Sequence, residues 1–403
     1  MAFSRPGSLR RVAAAGSAVL GVVLMWGCAT GRGPEPAPSD VGLQWVPEDR
    51  WPAITDDLDP ESFAEACRYG SDYLLELPPD RTFVFDGEHR TAAELAAGLS
   101  RASAVLARFT DTAALSNALK AEFNLYRSVG RDRRGEVLLT GYYEPLLEAR
   151  HIPEPPFVYP VYGVPDDLVT VPNASNTERH AIGRYVDGEL VPYPDRATID
   201  FGDGLPEGTD VLGWVADRVD LFFLHVQGSG TLVFGAGVRV RAGYAASNGR
   251  EYRSIGRLLI DEDAIPASEM SMQAIRKYLV DHPDEVERVL SANPRYVFFR
   301  RLSPVGGPLG CFGVPLTAGR SIATDLRLLP APVPALLEGT LPSAAGGDHR
   351  FSRLVVHQDT GSSIVWPGLV DLFFGAGAEA GELAGRTKHL GELFVFLPKR
   401  GAR

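Results

Sequence analysis

Between Glu136 and Lys399 turn residues cut the sequence into short apolar or alternating runs, and this limits the fold more than any other feature. "EVLLTGYYEPLLEAR", "FVYPVYGVP", "VDLFFLHVQGSGTLVF", "RYVFFRRL", "SRLVVHQD" and "GELFVFLPK" carry Val, Tyr, Phe and Leu at strand-like spacing between Gly, Pro, Asp and Ser. With 43 Gly and 31 Pro among 403 residues, turns are plentiful. A chain this long can bury one large core or two moderate ones, so a mainly β, α+β fold in two domains is expected. "TLPSAAGGDHR", residues 340–350, reads as an exposed loop.

Helical patterns are confined to two places. Thr91 and Glu94 form a capping box ahead of Leu95, Leu99, Ala102, Leu106 and Phe109, which recur at helical spacing. Leu115, Leu119, Phe123 and Tyr126 predict a second amphipathic helix. A third is expected in "SEMSMQAIRKYLVDHP", closed by Pro283, and a fourth in "DEVERVL". These apolar stripes face a core.

The N-terminus reads as an address. Arg5, Arg10 and Arg11 precede a 16-residue apolar run, Val12–Gly27, that is short for a membrane span. Cys28 follows the small Gly27, so residues 1–28 resemble a bacterial lipoprotein signal in which Cys28 is acylated. An ordinary cleaved signal is the alternative, and both readings export the chain. Residues 29–45, rich in Pro and Gly, then form a tether. A net charge of −11 disfavours nucleic acid and anionic lipid as partners. Cys67 and Cys311 remain, either paired or as two separate thiols, and no Cys/His cluster has metal-ligand spacing, so neither metal nor cofactor is expected.

The chemistry concentrates near the C-terminus. "VVHQDTGSSIVWPG", from Val355, places Asp359 in a tract like that of pepsin-type proteases. Such a protease needs two facing aspartates sharing a proton, hence two tracts or a dimer whose lobe lies mostly downstream. Only one tract is present and 44 residues follow Asp359, which excludes that reading. Asp371 comes twelve residues later among Val370, Leu372, Phe373 and Phe374. Desolvation there raises a carboxyl pKa and suits it to general acid work on a glycosidic bond. A surface strand with Asp371 turned to solvent is the competing reading.

Eight segments over about 260 residues then carry a resemblance: "TGYYEPLLEAR", "YPVYGVP", "VQGSGTLVFGAG", "GYAASNGREYRSIGRLLI", "MSMQAIRKYL", "NPRYVFFR", "GVPLTAGRSIATD" and "QDTGSSI…VDLFFGAGAEAGELAG". In order and content they resemble the membrane-bound lytic murein transglycosylase A (MltA) family. The resemblance implies a six-stranded double-psi β-barrel with N-terminal helices and an inserted smaller β domain. The main domain would comprise 46–146 and 255–403, with the barrel core at about 295–400, and the insert 147–254 would form the other wall of a glycan groove. The family's three aspartates fall on Asp325, Asp359 and Asp371, with Asp371 catalytic and the other two in support. Two features depart from the pattern: Leu369 stands where many members have a basic residue, and "LRLLPAPVP" lacks the family's glycine.

The implied reaction cleaves the bond between N-acetylmuramic acid and N-acetylglucosamine and closes a 1,6-anhydro ring, without water or cofactor. Thr140, Tyr142, Gln227 and Ser229 are candidate groove residues, or else ordinary turn and sheet positions. His225 and His357 read as strand residues rather than catalysts. The implied partners are peptidoglycan glycan strands, the outer membrane through lipid on Cys28 with the domain on its periplasmic face, and cell-wall synthesis proteins. An inverting hydrolase using Asp371 and Asp359, or a non-catalytic wall-binding lipoprotein, are the rival functions.

Overall fold

The computed structural model describes residues 42–109, 111–131, 133–172, 180–303, 307–361, 364 and 366–400. The signal sequence, Cys28 and most of the expected tether lie outside them.

Six strands close into a barrel: β1 (Val137–Glu144), β2 (Ser321–Ala323), β3 (Pro334–Pro342), β4 (Asp348–Asp359), β5 (Leu369–Ala376) and β6 (Lys388–Pro398). Their order is β6-β3-β4-β2-β5-β1, and β1 pairs back onto β6. Two pairings, β2 with β4 and β5 with β1, are parallel and the rest antiparallel. This closed six-stranded barrel agrees with the expected double-psi fold. Alternation puts Leu139, Ile322, Leu336, Leu354, Val356, Val370, Leu372 and Val395 in the core with essentially no exposure. Each such side chain contributes about 1.5–3 kcal/mol of burial.

Two helices pack on this barrel. Pro60–Leu75 starts at Asp59, whose side chain accepts from the Ser62 amide. Ala92–Arg108 has the capping box expected of Thr91 and Glu94. The next helix stops at Glu122, and Phe123–Ser128 is a strand paired with β6, so Phe123 and Tyr126 belong to a sheet rather than to the expected helix. Phe123, Leu125 and Tyr126 are buried against the barrel, and that burial overrides the helical spacing. Leu43–Val46 pairs with the same strand, so the end of the expected tether is also sheet.

From β1 the chain passes through Pro145 into Leu146–Arg150, part of a second, six-stranded sheet. Its order is Val297–Leu302, Arg239–Ser247, Ser229–Val233, Leu146–Arg150, Val211–Val215, Tyr159–Tyr162. This sheet takes in Val297–Leu302, beyond the bound expected at 254. A small three-stranded sheet, Val169–Pro172, His180–Val186 and Glu189–Pro192, is separate from it.

"VDLFFLHVQ" is not a strand but most of the helix Arg218–Gln227. Asp217 caps its start, and Gly228, at φ 77°, ends it in the left-handed conformation glycine tolerates. Leu221 and Leu224 face the sheet, while Val219, Phe222 and Phe223 face the helices between Ile255 and Ser291. A helix buried on both sides shows no one-sided stripe. His225 therefore sits on a helix, whereas His357 lies in β4 as expected. The expected helices around Met272 and Val286 are present as Met272–Asp281 and Val286–Ser291. "TLPSAAGGDHR" is the tip of the β3–β4 hairpin, with its ends paired, rather than a free loop. Cys67, buried, and Cys311, exposed, are both free thiols.

Candidate active site

Register places the two acids. In the short β2, Ala323 stands opposite Asp359 of β4 on one side and Asp371 of β5 on the other. Ala323 and Asp371 are a regular pair and share the barrel's outer face, while Asp359, which follows a bulge in the β2–β4 pairing, lines the groove at that surface. Two strand spacings put the backbones of the two acids about 10 Å apart. The inward neighbours Val370 and Leu372 are fully buried, which fixes Asp371 outward.

Each acid has its own supports. Thr140, opposite Asp371 on β1, donates its hydroxyl to Asp371 Oδ1 at 2.5 Å. Gly141 lets the helix Ala378–Arg386 lie close beside it, since a Cβ there would sit 2.8 Å from Ala384 Cα. Asp359 Oδ1 accepts from the Cys311 amide at 2.9 Å and from the Thr360 amide at 2.8 Å. The Thr360 hydroxyl in turn donates to the Thr324 carbonyl at 2.8 Å, tying the end of β4 to the segment after β2.

Crowding by protein atoms raises both acids, although each keeps a partly open edge. Burial pushes Asp371 up to about 6, opposed by the Thr140 hydrogen bond. Burial also pushes Asp359 up to about 6, against the hydrogen bonds it accepts and with a contribution from the charge of Asp371. The same repulsion acts on Asp371 whenever Asp359 is ionised. The Tyr142 hydroxyl is shut off from solvent and points toward Asp359 without closing a full hydrogen bond. Burial and the two nearby carboxylates raise its pKa, keeping it a neutral donor. Its ring packs on Phe373 at 5.2 Å.

A groove of about 550 Å³ runs from this surface to the second sheet. Asp359, Thr360, Tyr142 and Phe373 line the barrel side, and Gln227, Ser229, Tyr244, Arg295 and Arg300 line the other. Gln227 bridges the two: its Oε1 accepts from the Tyr143 amide at 3.2 Å. Three expected groove residues, Tyr142, Gln227 and Ser229, thus border one cavity. Thr140 is engaged with Asp371 instead. Asp325 is buried and turned onto Arg327, which donates to both its oxygens at 2.7–3.1 Å. It does not share the hydrogen bonds of the pair. His225 lies at the groove, but burial and the Arg196 charge push its pKa well down, so it stays neutral. The sequence reading missed Arg300, Tyr244 and the Cys311 amide. An arginine in "FFRR" has no distinguishing context, and a backbone amide leaves no trace in side-chain pattern.

What such an arrangement can do is transfer a proton to and from one bond of a polymer lying in the groove, near neutral pH. Comparison with known proteins agrees. Residues 138–300 match the MltA specific insert domain and 320–397 the 3D domain. The membrane-bound lytic murein transglycosylase A of Escherichia coli K12 is 35% identical over 280 residues, 68% of this chain and 69% of that protein. A membrane-bound lytic murein transglycosylase structure from Agrobacterium tumefaciens has a TM-score of 0.71 at 32% identity, covering 89% of this chain and 98% of that one. The structure of E. coli MltA with bound chitohexaose has a TM-score of 0.71 at 27% identity, covering 91% and 97%.

Proposed function

The chain belongs to the membrane-bound lytic murein transglycosylase A family, peptidoglycan-cleaving enzymes, and from that premise we propose that Asp371 is its catalytic acid and base. The observation that carries this is a carboxyl on the barrel's outer face, raised to about 6 by burial and oriented by Thr140. Protonated Asp371 gives its proton to the oxygen linking N-acetylmuramic acid to N-acetylglucosamine. The C1–O bond breaks, and the glucosaminyl fragment leaves with a 4-hydroxyl. The Asp371 carboxylate then takes the proton of the muramoyl 6-hydroxyl as O6 bonds to C1. A 1,6-anhydro ring closes and Asp371 ends protonated again.

The nucleophile belongs to the substrate, so its effective concentration is high and no second catalytic carboxylate is needed. Asp359, pinned by two backbone amides, is a fixed neighbour that favours the protonated form of Asp371 through like-charge repulsion. Asp325 acts at most in support, ordering its own turn through Arg327. A sugar polymer occupies the groove between barrel and second sheet, and the chitohexaose bound to the E. coli relative supports that reading. The second wall is an inserted domain that extends from about 147 through Val297–Leu302. Mass spectrometry of material released from purified sacculi tests the proposal. Wild type should release muropeptides with anhydro ends and Asp371→Asn none; reducing ends from wild type would refute it.

The lipid anchor is a separate proposal. Among the described residues no helix is long and apolar enough to cross a membrane. Acylation of Cys28 would hold the domain to the membrane, and Ala29 after it favours the outer membrane. Cys28→Ser should then fractionate as a soluble periplasmic protein. Continued membrane retention would mean that Val12–Gly27 itself is the anchor.

A further inference from the structure

Two neighbouring arginines on one strand have opposite circumstances. Arg301, on one face of Val297–Leu302, donates to the Asp210 carboxylate at 2.7 Å and to the Val211 carbonyl at 2.9 Å. Strand alternation turns Arg300 to the other face, where it lines the groove shared with Tyr142 and Asp359. It is exposed, and no hydrogen bond or ion pair joins it to another described residue. Opposite it in the neighbouring strand is Gly243, so no side chain there covers the guanidinium. Arg295 lines the same wall, its guanidinium held by a 3.4 Å bond to the Arg250 carbonyl. Tyr244, 47% exposed, adds an aromatic face beside them.

A chain of net charge −11 thus keeps in its groove a cation with no ion-pair partner among the described residues. The sugar rings of the backbone are uncharged. Negative charge enters at the muramoyl side group, as the carboxylate of a bare lactyl ether or as those of a peptide stem attached to it. Building on the transglycosylase reading, we infer that Arg300 is a specificity-determining residue that recognises a carboxylate carried on the muramoyl side group. A guanidinium fork matches a carboxylate with two parallel hydrogen bonds, which a lysine cannot reproduce. Because the pair would be partly exposed, its effect is modest and falls with salt.

The test uses the full chain as wild type, Arg300→Gln and Arg300→Lys, with three probes. These are glycan strands stripped of peptides, which bear lactyl carboxylates; strands that keep their stems; and chitohexaose, neutral and without a side group. For Arg300→Gln, KM on an anionic strand should rise about fivefold with kcat held, as loss of an exposed charged pair implies. The difference should shrink at about 0.5 M salt. Arg300→Lys should fall between, and chitohexaose affinity should not change. A loss confined to stripped strands identifies the lactyl carboxylate, and one confined to stem-bearing strands identifies the peptide; either supports the inference. Unchanged KM on both anionic strands, or an equal loss of chitohexaose affinity, overturns it. Should wild type release nothing from either strand, the transglycosylase reading fails instead. Binding of the two anionic strands relative to chitohexaose then still decides the role of Arg300.

Discussion

The two walls of the groove are built by different rules. On the barrel side, Thr140, Asp371, Ala323 and Asp359 stand in register across four hydrogen-bonded strands, and of these Asp359 lines the groove. Every polar group among them is held by a named partner, and burial raises both acids to about 6. On the opposite wall, Arg300 and Tyr244 are exposed. The first side fixes geometry and proton affinity; the second exposes an arginine and an aromatic ring to the groove. Substitutions on the barrel wall should therefore change rate and pH dependence, and those opposite should change apparent affinity and salt dependence.

The largest effect expected is that of Asp371→Asn. It preserves shape but removes the transferable proton, and general acid–base catalysis is worth about 10²–10⁴-fold. Release from sacculi should fall by at least about a hundredfold while sacculus binding persists. A variant retaining more than about a hundredth of the activity would place the acid elsewhere.

Smaller and more telling are two changes around Asp371 that should act in opposite directions. On the proposed mechanism the active form carries Asp371 protonated, so activity should decline as pH rises through its pKa of about 6. Asp359→Asn removes a like charge, lowers that pKa and moves the alkaline limb to lower pH, with a loss of roughly tenfold in rate at neutral pH. Thr140→Val removes a hydrogen bond that favours the carboxylate, so the same limb should move to higher pH. Full pH–rate profiles of both variants check the pair. Shifts in the same direction would break the assignment of Thr140 and Asp359 to opposing roles. The same coupling bears on stability. Because folding raises both acids, their favourable contribution is complete below pH 4 and lost as pH rises through about 6.

What could be read beforehand differs between these walls too. Asp371 and Asp359 stood out locally through their apolar flanks and glycine turns, but those flanks left open whether Asp371 faced solvent, and the family resemblance singled the two out. The capping box at Thr91 was legible from local sequence alone. Thr140 was not legible as the partner of Asp371, which lies 231 positions away and meets it only through a parallel strand pairing. The helix Arg218–Gln227 read as a strand because it is apolar on both sides, so only Asp217 and Gly228 signalled its ends. Phe123 and Tyr126 fitted a helical spacing by coincidence, since spacing of three or four residues also occurs in a short buried strand. Arg300 and Arg301 look identical in sequence. Only the fold separates the one bound to Asp210 from the one left in the groove.

The central claim is that the substrate's own 6-hydroxyl, and not water, attacks C1, with Asp371 as the sole acid and base. Digestion of sacculi by wild type in oxygen-18 water, followed by mass spectrometry of the released muropeptides, tests it directly. Ring closure predicts anhydro ends with no heavy oxygen incorporated. Oxygen-18 at a newly formed reducing end would mean that Asp359 activates water in a hydrolase, and would contradict the account whatever the variants did.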